Sequence, residues 1–309
     1  MTPTPLCLGI GELMVELAPS DSPDSLRRGF AGDVFNTLYY ARLLMPADWQ
    51  VGFHTAFGTD SLSDDMMAFI ARHNIDCLNT PRIEGGSPGL YMIHLRDGER
   101  SFSYWRNDSA ARQLMRQPDL LAAKLTAARF IYLSGITLAI LQPADRQLLL
   151  KMVAQVRGAD RTVFFDSNIR EKLWPDAAEM RSVITAAGAV ADIVLPSLDD
   201  EKRSFGDADA HAVADRYRGW GAQTVVIKDG VAPALLVDAD NAVWLAPKTV
   251  HSPVDSTAAG DAFNGGLMAG VARGKTVCEA IPIAHECAAR VVLHPGALAP
   301  AETVHPSKK

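Results

Sequence analysis

Cysteine is scarce, with four residues in 309, at Cys7, Cys77, Cys278 and Cys287. None falls in a Cys-x-x-Cys pair or at metal-ligand spacing, so neither a cysteine metal site nor a disulfide frame is expected, and reduced thiols in a cytoplasmic protein are. Surplus positive charge is absent as well. Thirty Lys and Arg stand against 36 Asp and Glu, a net charge of −6. Nucleic acid and anionic membrane are therefore not expected partners, and an anionic substrate would need locally placed Arg or Lys. No stretch approaches an uninterrupted membrane span. The first residues carry no basic leader and Glu12 interrupts their apolar run, so no signal peptide is expected. Internal repeats and low-complexity linkers are also missing. What is present is 48% hydrophobic residues, enough for a full core and too many for global disorder. The length suits one large α/β domain or two smaller ones.

The apolar segments follow a βα rhythm. Residues 7–17 read as a first buried strand, with a helix through Leu43 after it. Gly9-Ile-Gly11 is no dinucleotide fingerprint, because position 14 is Met14 and no helix pattern follows directly. A strand at 51–58 and an amphipathic helix at 60–73 continue the rhythm of a parallel sheet. Two strands at 89–95 and 100–105, joined by Asp97-Gly98, then interrupt it. Alternation puts Tyr91, Ile93 and Leu95 on one face, and Phe102, Tyr104 and Arg106 on one face of the second arm. A hairpin inserted in an α/β chain suits a lid, and equally a surface decoration with packed aromatics. The rhythm resumes with strands at 129–135, 162–165, 192–195 and 224–227, helices at 143–156 and 176–187, a hairpin at 234–245 and a last helix at 276–292.

Polar clusters sit at the strand ends, where open α/β sheets bind ligands. They are Asp166-Ser-Asn168-Ile-Arg170, Pro196-Ser197-Leu-Asp-Asp200-Glu201 and Lys228-Asp-Gly230. Near the N-terminus, Gly32, Asp33 and Asn36 put polar groups at a turn that opens a helix, placed for sugar hydroxyls or for simple capping. The most informative stretch is Asp255-Ser-Thr-Ala-Ala-Gly-Asp-Ala-Phe263. Ala258, Ala259 and Gly260 carry almost no side chain, and an apolar helical pattern follows. A helix that opens at such a turn presents unpaired amides and a positive dipole end, an anion site. Asp261 at that mouth suits a base that takes a proton from an attacking hydroxyl. An N-cap aspartate has the same local pattern.

The nine-residue string resembles the C-terminal signature of the ribokinase-like (PfkB) carbohydrate kinases. That resemblance implies a three-layer α/β/α fold with a mostly parallel central sheet and a small inserted β-sheet lid. It implies a single domain over 1–309, with lid strands drawn from about 12–30 and 89–106. By the same resemblance Asp261 is the catalytic base, and Ala258, Ala259 and Gly260 form the anion hole for phosphate. ATP is the donor and Mg²⁺ the metal. Ser197, Lys228, Gly230, Gly260 and His285 would flank the nucleotide. Asp200 stands where members place a glutamate that organises the metal's waters, with Asp199 and Glu201 as neighbours in contention. Asp255 and Thr257 match a monovalent-cation loop that takes K⁺ in some members. Asp33 departs from the family's N-terminal Gly pair.

Three segments, around Tyr91, around Tyr104 and Arg106, and around Asn168 and Arg170, are similar to those of family members that act on 2-keto-3-deoxygluconate. A sugar acid needs its carboxylate held, which arginine does with two parallel hydrogen bonds. The resemblance thus implies phosphorylation of that acid at C6, with a homodimer formed through the lid. The rivals are a kinase for a neutral ketose such as fructose and a catalytically silent sugar-binding regulator.

Overall fold

Successive residues of the buried strands point to two different cores. Leu8, Ile10, Ile131, Leu133, Val163 and Phe165 belong to one hydrophobic cluster; Cys7, Phe130, Tyr132 and Phe164 belong to another. This period-two division is what a sheet covered on both faces requires. The computed structural model describes residues 4–20, 22, 25–96 and 99–304. Its main sheet has eight strands, in the order Ala242–Leu245, Ala234–Val237, Thr224–Ile227, Ile193–Val194, Thr162–Asp166, Ala128–Ser134, Leu6–Ile10 and Gln50–His54. The last six run parallel, and the hairpin of the first two adds an antiparallel edge. Helices Asp33–Leu44, Ser61–Arg72, Ala259–Ala272 and Val277–Val291 cover one face. Helices Pro118–Ala127, Pro143–Val156, Ala177–Val190 and Ala210–Trp220 cover the other, which makes the three layers expected.

Local chemistry starts and stops these helices. Asp60, Asp176 and Asp209 each accept the amide three residues on, and Thr276 with Glu279 forms a reciprocal capping box. Gly206 and Gly221 end their helices in the left-handed conformation. Helix Ala259–Ala272 is pressed between two others. A side chain at Gly265 would meet the Thr37 carbonyl at 2.6 Å, and one at Gly266 would meet Ala284 at 2.9 Å. That close approach brings the start of this helix against the start of helix Asp33–Leu44.

A second sheet of four strands runs in the order Leu26–Ala31, Met14–Pro19, Leu90–Arg96 and Glu99–Trp105. Met14, Ala18, Ala31, Tyr91 and Ile93 bury a common cluster there with Ala297. The Asp97-Gly98 turn and the side chain of Leu95 lie outside the described residues. Leu26, Phe102, Tyr104 and Trp105 are 43–57% exposed.

Two strand readings need correction. Residues 7–17 are not one strand: Leu6–Ile10 joins the main sheet and Met14–Pro19 the small one. Both halves are buried, so hydrophobicity does not mark the crossing. The 51–58 segment also divides, with Phe57–Gly58 pairing Arg82–Ile83 in a separate two-stranded sheet. Helices Pro118–Ala127 and Ala210–Trp220 had no counterpart in the sequence reading.

Candidate active site

Asp255 ties down the loop that opens helix Ala259–Ala272. Its carboxylate accepts from the Thr257 amide at 3.0 Å, the Thr257 hydroxyl at 2.7 Å and the Gly296 amide at 2.6 Å. Ala258 then takes a left-handed conformation, φ 61° and ψ 14°, as the N-cap. An alanine held there costs about 1–2 kcal/mol, a strain of the kind found at functional turns. The Ala259 amide bonds back to the Ser256 carbonyl at 3.2 Å. The Ala259 amide is thus engaged within the turn. Gly260 and Asp261, in the first turn, have no carbonyl four residues back inside the helix.

Asp261 meets Asn36 across the two pressed helices, with Asn36 Nδ2 donating to Asp261 Oδ2 at 2.8 Å. Asn36 is aimed in turn by the Gly32 amide, which donates to its Oδ1 at 3.3 Å. Burial first, and the negative charge of Asp33 second, push the Asp261 carboxyl up to about 7. Asp166 adds to the rise, while the Asn36 bond and Lys228 oppose it. Such a group is a base poised near neutrality. Asp33 is itself raised, chiefly by burial, and accepts from Asn168 Nδ2 at 2.8 Å. Asn168 sits in a left-handed backbone position, φ 32°, and its amide bonds Asp166 Oδ1 at 3.1 Å.

Beneath this surface lies a buried polar chain. Lys228 Nζ donates to Asp166 Oδ2 at 2.9 Å and to Asn264 Oδ1 at 3.2 Å. Asn264 Nδ2 donates to Asp166 Oδ2 at 2.6 Å and to the Tyr132 hydroxyl at 3.1 Å, which also accepts from Thr37. Asn264 and Tyr132 are fully buried, so every polar atom satisfied here avoids a desolvation cost. The sequence reading missed Asn264. Its signal was its place three residues after Asp261, on the same helix face. Ser197 pairs with Lys228 in an isolated bridge, and the Leu198 amide bonds the Lys228 carbonyl at 2.9 Å. Gly230 follows in a left-handed turn, φ 54°. His285 packs on Phe263 with ring centroids 5.2 Å apart, and burial holds its imidazole below its ordinary value.

The two arginines expected to converge each meet an acid of their own chain. Arg106, 8% exposed, pairs with the buried carboxylate of Glu12. Glu12 also accepts from Ser109 Oγ at 2.6 Å. Arg106 Nε is buried without an acceptor among the described residues. Arg170 is half-exposed and bonds Asp200 Oδ2 at 3.3 Å. Tyr91 donates to Glu16, and its ring stands 5.9 Å from that of Tyr104. Glu12 and Glu16 were not picked out in sequence, because nothing local distinguishes a carboxylate that will pair 94 positions away.

Of the three acids in contention, Asp200 is half-buried. Glu201 is fully buried and held by Arg216 at 2.7 Å and Tyr217 at 2.9 Å, while Asp199 is exposed. Asp200 Oδ1 accepts from Arg203 at 2.5 Å. A carboxylate has about four acceptor directions, so capacity remains. Among the described residues no three metal-ligating side chains cluster. That donor set fits a hydrated Mg²⁺ held largely by phosphates, with one carboxylate behind its waters.

Residues 6–304 match the family described as pfkB family carbohydrate kinase. The chain is 38% identical over 303 residues to a 2-dehydro-3-deoxygluconokinase of Dickeya dadantii, covering 96% of this chain and 97% of that one. It is 36% identical to the Escherichia coli protein of the same description, with the same coverage. Among solved structures, the fructokinase with bound ATP from Xylella fastidiosa superposes with a TM-score of 0.82 at 22% identity, covering 97% of this chain and 96% of that one. At that identity the likeness speaks for the fold.

Proposed function

The chain belongs to the pfkB family of carbohydrate kinases, and from that premise we propose that it phosphorylates 2-keto-3-deoxygluconate (the 2-dehydro acid of its relatives' names) with ATP at the C6 hydroxyl. The product is 2-keto-3-deoxy-6-phosphogluconate. The observation that carries the sugar-acid reading is Arg106, buried beside Tyr104 with Nε lacking an acceptor among the described residues. Glu12 engages one end of a guanidinium that has five donors. The remaining N–H groups can take a carboxylate, which would satisfy the buried Nε. Arg170, half-exposed, bonds Asp200 and the Ile169 carbonyl through one nitrogen, and its other donors can turn toward the same anion.

The chemistry follows from the turn. Asp261 accepts the proton of the C6 hydroxyl as that oxygen bonds to the γ-phosphorus of ATP. The bond from that phosphorus to the β–γ bridging oxygen breaks, and ADP leaves. The Gly260 and Asp261 amides meet the negative charge of the transferring group, where preorganised donors contribute most. When bound, Mg²⁺ neutralises phosphate charge, and Asp200 is the side chain that would hold its water shell. K⁺ at the Asp255–Thr257 loop is proposed on the family resemblance alone. The small sheet is proposed as a lid on a single kinase domain and as a homodimer contact, since Phe102 and Tyr104 on one face and Trp105 on the other are left wet. A cytoplasmic site of action accords with the unpaired cysteines.

The test is ADP release with 2-keto-3-deoxygluconate and with fructose, for wild type, Arg106→Ala and Arg170→Ala. Each charge-assisted bond contributes about 1.5–3 kcal/mol, so each variant should lose about tenfold to a hundredfold in kcat/KM for the acid. Equal or better use of fructose by the wild type would sink the sugar-acid reading and promote the neutral-ketose rival, with the kinase chemistry intact.

A further inference from the structure

We propose that Lys228 is a catalytic residue: its ammonium donates directly to the transferring phosphoryl group above Gly260. This rests on the kinase reading and goes beyond a lysine that flanks the nucleotide. The side chain is 10% exposed. An ammonium has three donors. Asp166 Oδ2 at 2.9 Å and Asn264 Oδ1 at 3.2 Å take two of them. The third has no acceptor among the described residues.

The space beside Nζ is the space above the anion-binding turn. A methyl group built on Gly260 would sit 3.7 Å from Nζ, and, its own helix backbone and chain neighbours aside, nothing else among the described residues would touch it within 4 Å. A phosphoryl group seated on the Gly260 and Asp261 amides would occupy that opening, within reach of the third N–H. The ammonium is also close enough to Asp261 to draw its carboxyl downward.

The arrangement explains why a lysine and an aspartate are buried together at this point. A buried ion pair by itself is a weak source of stability, and apolar residues of the same volume often serve as well. Here Asp166 and Asn264 hold the ammonium in one position before the substrate arrives. A cation aimed in advance at developing charge needs no reorganisation during the reaction. In the transfer step the acceptor oxygen bonds to phosphorus, the bridging oxygen leaves with ADP, and the hydroxyl proton goes to Asp261. Lys228 gives up no proton. It strengthens one hydrogen bond as charge gathers on the phosphoryl oxygens.

Removing Lys228 alone leaves Asp166 buried and uncompensated, which could unfold the protein. The informative comparison is therefore Asp166→Asn against Asp166→Asn/Lys228→Met. Both lack the Asp166 charge, and only the first keeps the ammonium, which still faces the Asp261 carboxyl. Steady-state kinetics with ATP should give the double variant a kcat lower by about 10²–10³, the scale of one lost donor at a developing oxyanion. KM for both substrates should stay within about threefold. By calorimetry both variants should bind ADP equally. Adding aluminium fluoride with the sugar, which mimics the transferring group, should tighten ADP only where Lys228 remains. Equal kcat in the two variants would overturn the proposal, as would a loss confined to KM for ATP or retained fluoride tightening in the double variant. The comparison uses whichever sugar the wild type turns over fastest, so a mistaken sugar leaves it readable.

Discussion

Asp261 is a carboxylate whose ionisation is set by what surrounds it. Burial and Asp33 raise it to about 7, while Asn36 and Lys228 pull it down. Asp261→Asn keeps the shape and removes the acceptor, so kcat should fall by about 10²–10⁴ with ADP affinity little changed, read by initial rates and calorimetry. In the wild type the acid limb of kcat/KM should fall away as pH drops through about 7, and it belongs to the coupled Asp33–Asp261 pair. Two variants should move that limb in opposite directions. Asp33→Asn removes a repelling charge and should shift it to lower pH. Asn36→Ala removes the hydrogen bond to the ionised form and should shift it higher. A common direction for both would contradict the electrostatic account. Stability runs the opposite way: a raised carboxyl favours the folded state below its ordinary value of 3.8, and that advantage is lost as pH rises through about 7. The Asp261→Asn variant should therefore melt higher than wild type at pH 8 and not at pH 3.

The element that most needs a partner is the small sheet. One face buries Met14, Tyr91 and Ile93, but the exposed aromatic row continues through Phe102 and Tyr104, with ring centroids 6.2 Å apart. Edge strands with wet aromatics invite pairing. If two copies close over the face that carries this row, Phe102→Lys should shift sedimentation toward monomer at micromolar protein and leave the melting temperature within a few degrees. A wild type that sediments as monomer at every concentration would remove the dimer. The same sheet delivers Arg106, which emerges just after strand Glu99–Trp105 and is met by Glu12 from the crossing between the two sheets.

For the molecule as a whole, an acidic protein is set to bind two acidic substrates. Net charge is −6, so long-range attraction is not available and neutralisation must be local. On the proposed reading Lys228, Arg106, Arg170 and the helix start would be the local sources on the protein, with a divalent ion completing the set. Chelation with EDTA should abolish turnover and Mg²⁺ should restore it. Asp200→Ala should raise the Mg²⁺ concentration needed for half-maximal rate, with the Glu201→Ala variant failing by instability instead, because Glu201 is locked to Arg216 and Tyr217. Unchanged metal demand in Asp200→Ala would take that residue out of the metal's water shell.

What the sequence determined by itself was whatever has a local cause. Small residues before an apolar helical run specify the Ala258–Asp261 turn, and β-branched and aromatic runs between capped helices specify the layered sheet. Alternation along Tyr91–Ile93 specifies which side of the hairpin is buried, and the fold bears that out. Contacts between distant segments have no such local cause. That residues 7–17 cross from one sheet to the other, that Arg106 is held by Glu12, and that Arg170 rests on Asp200 were decided only when the chain packed. So was the raised carboxyl of Asp261, since it depends on Asp33, Asn36 and Lys228 arriving from other parts of the chain. Hydrophobic pattern tells a residue to be inside. Which buried charge it will find there is set by the close approach of helices at Gly265 and by the order of the strands.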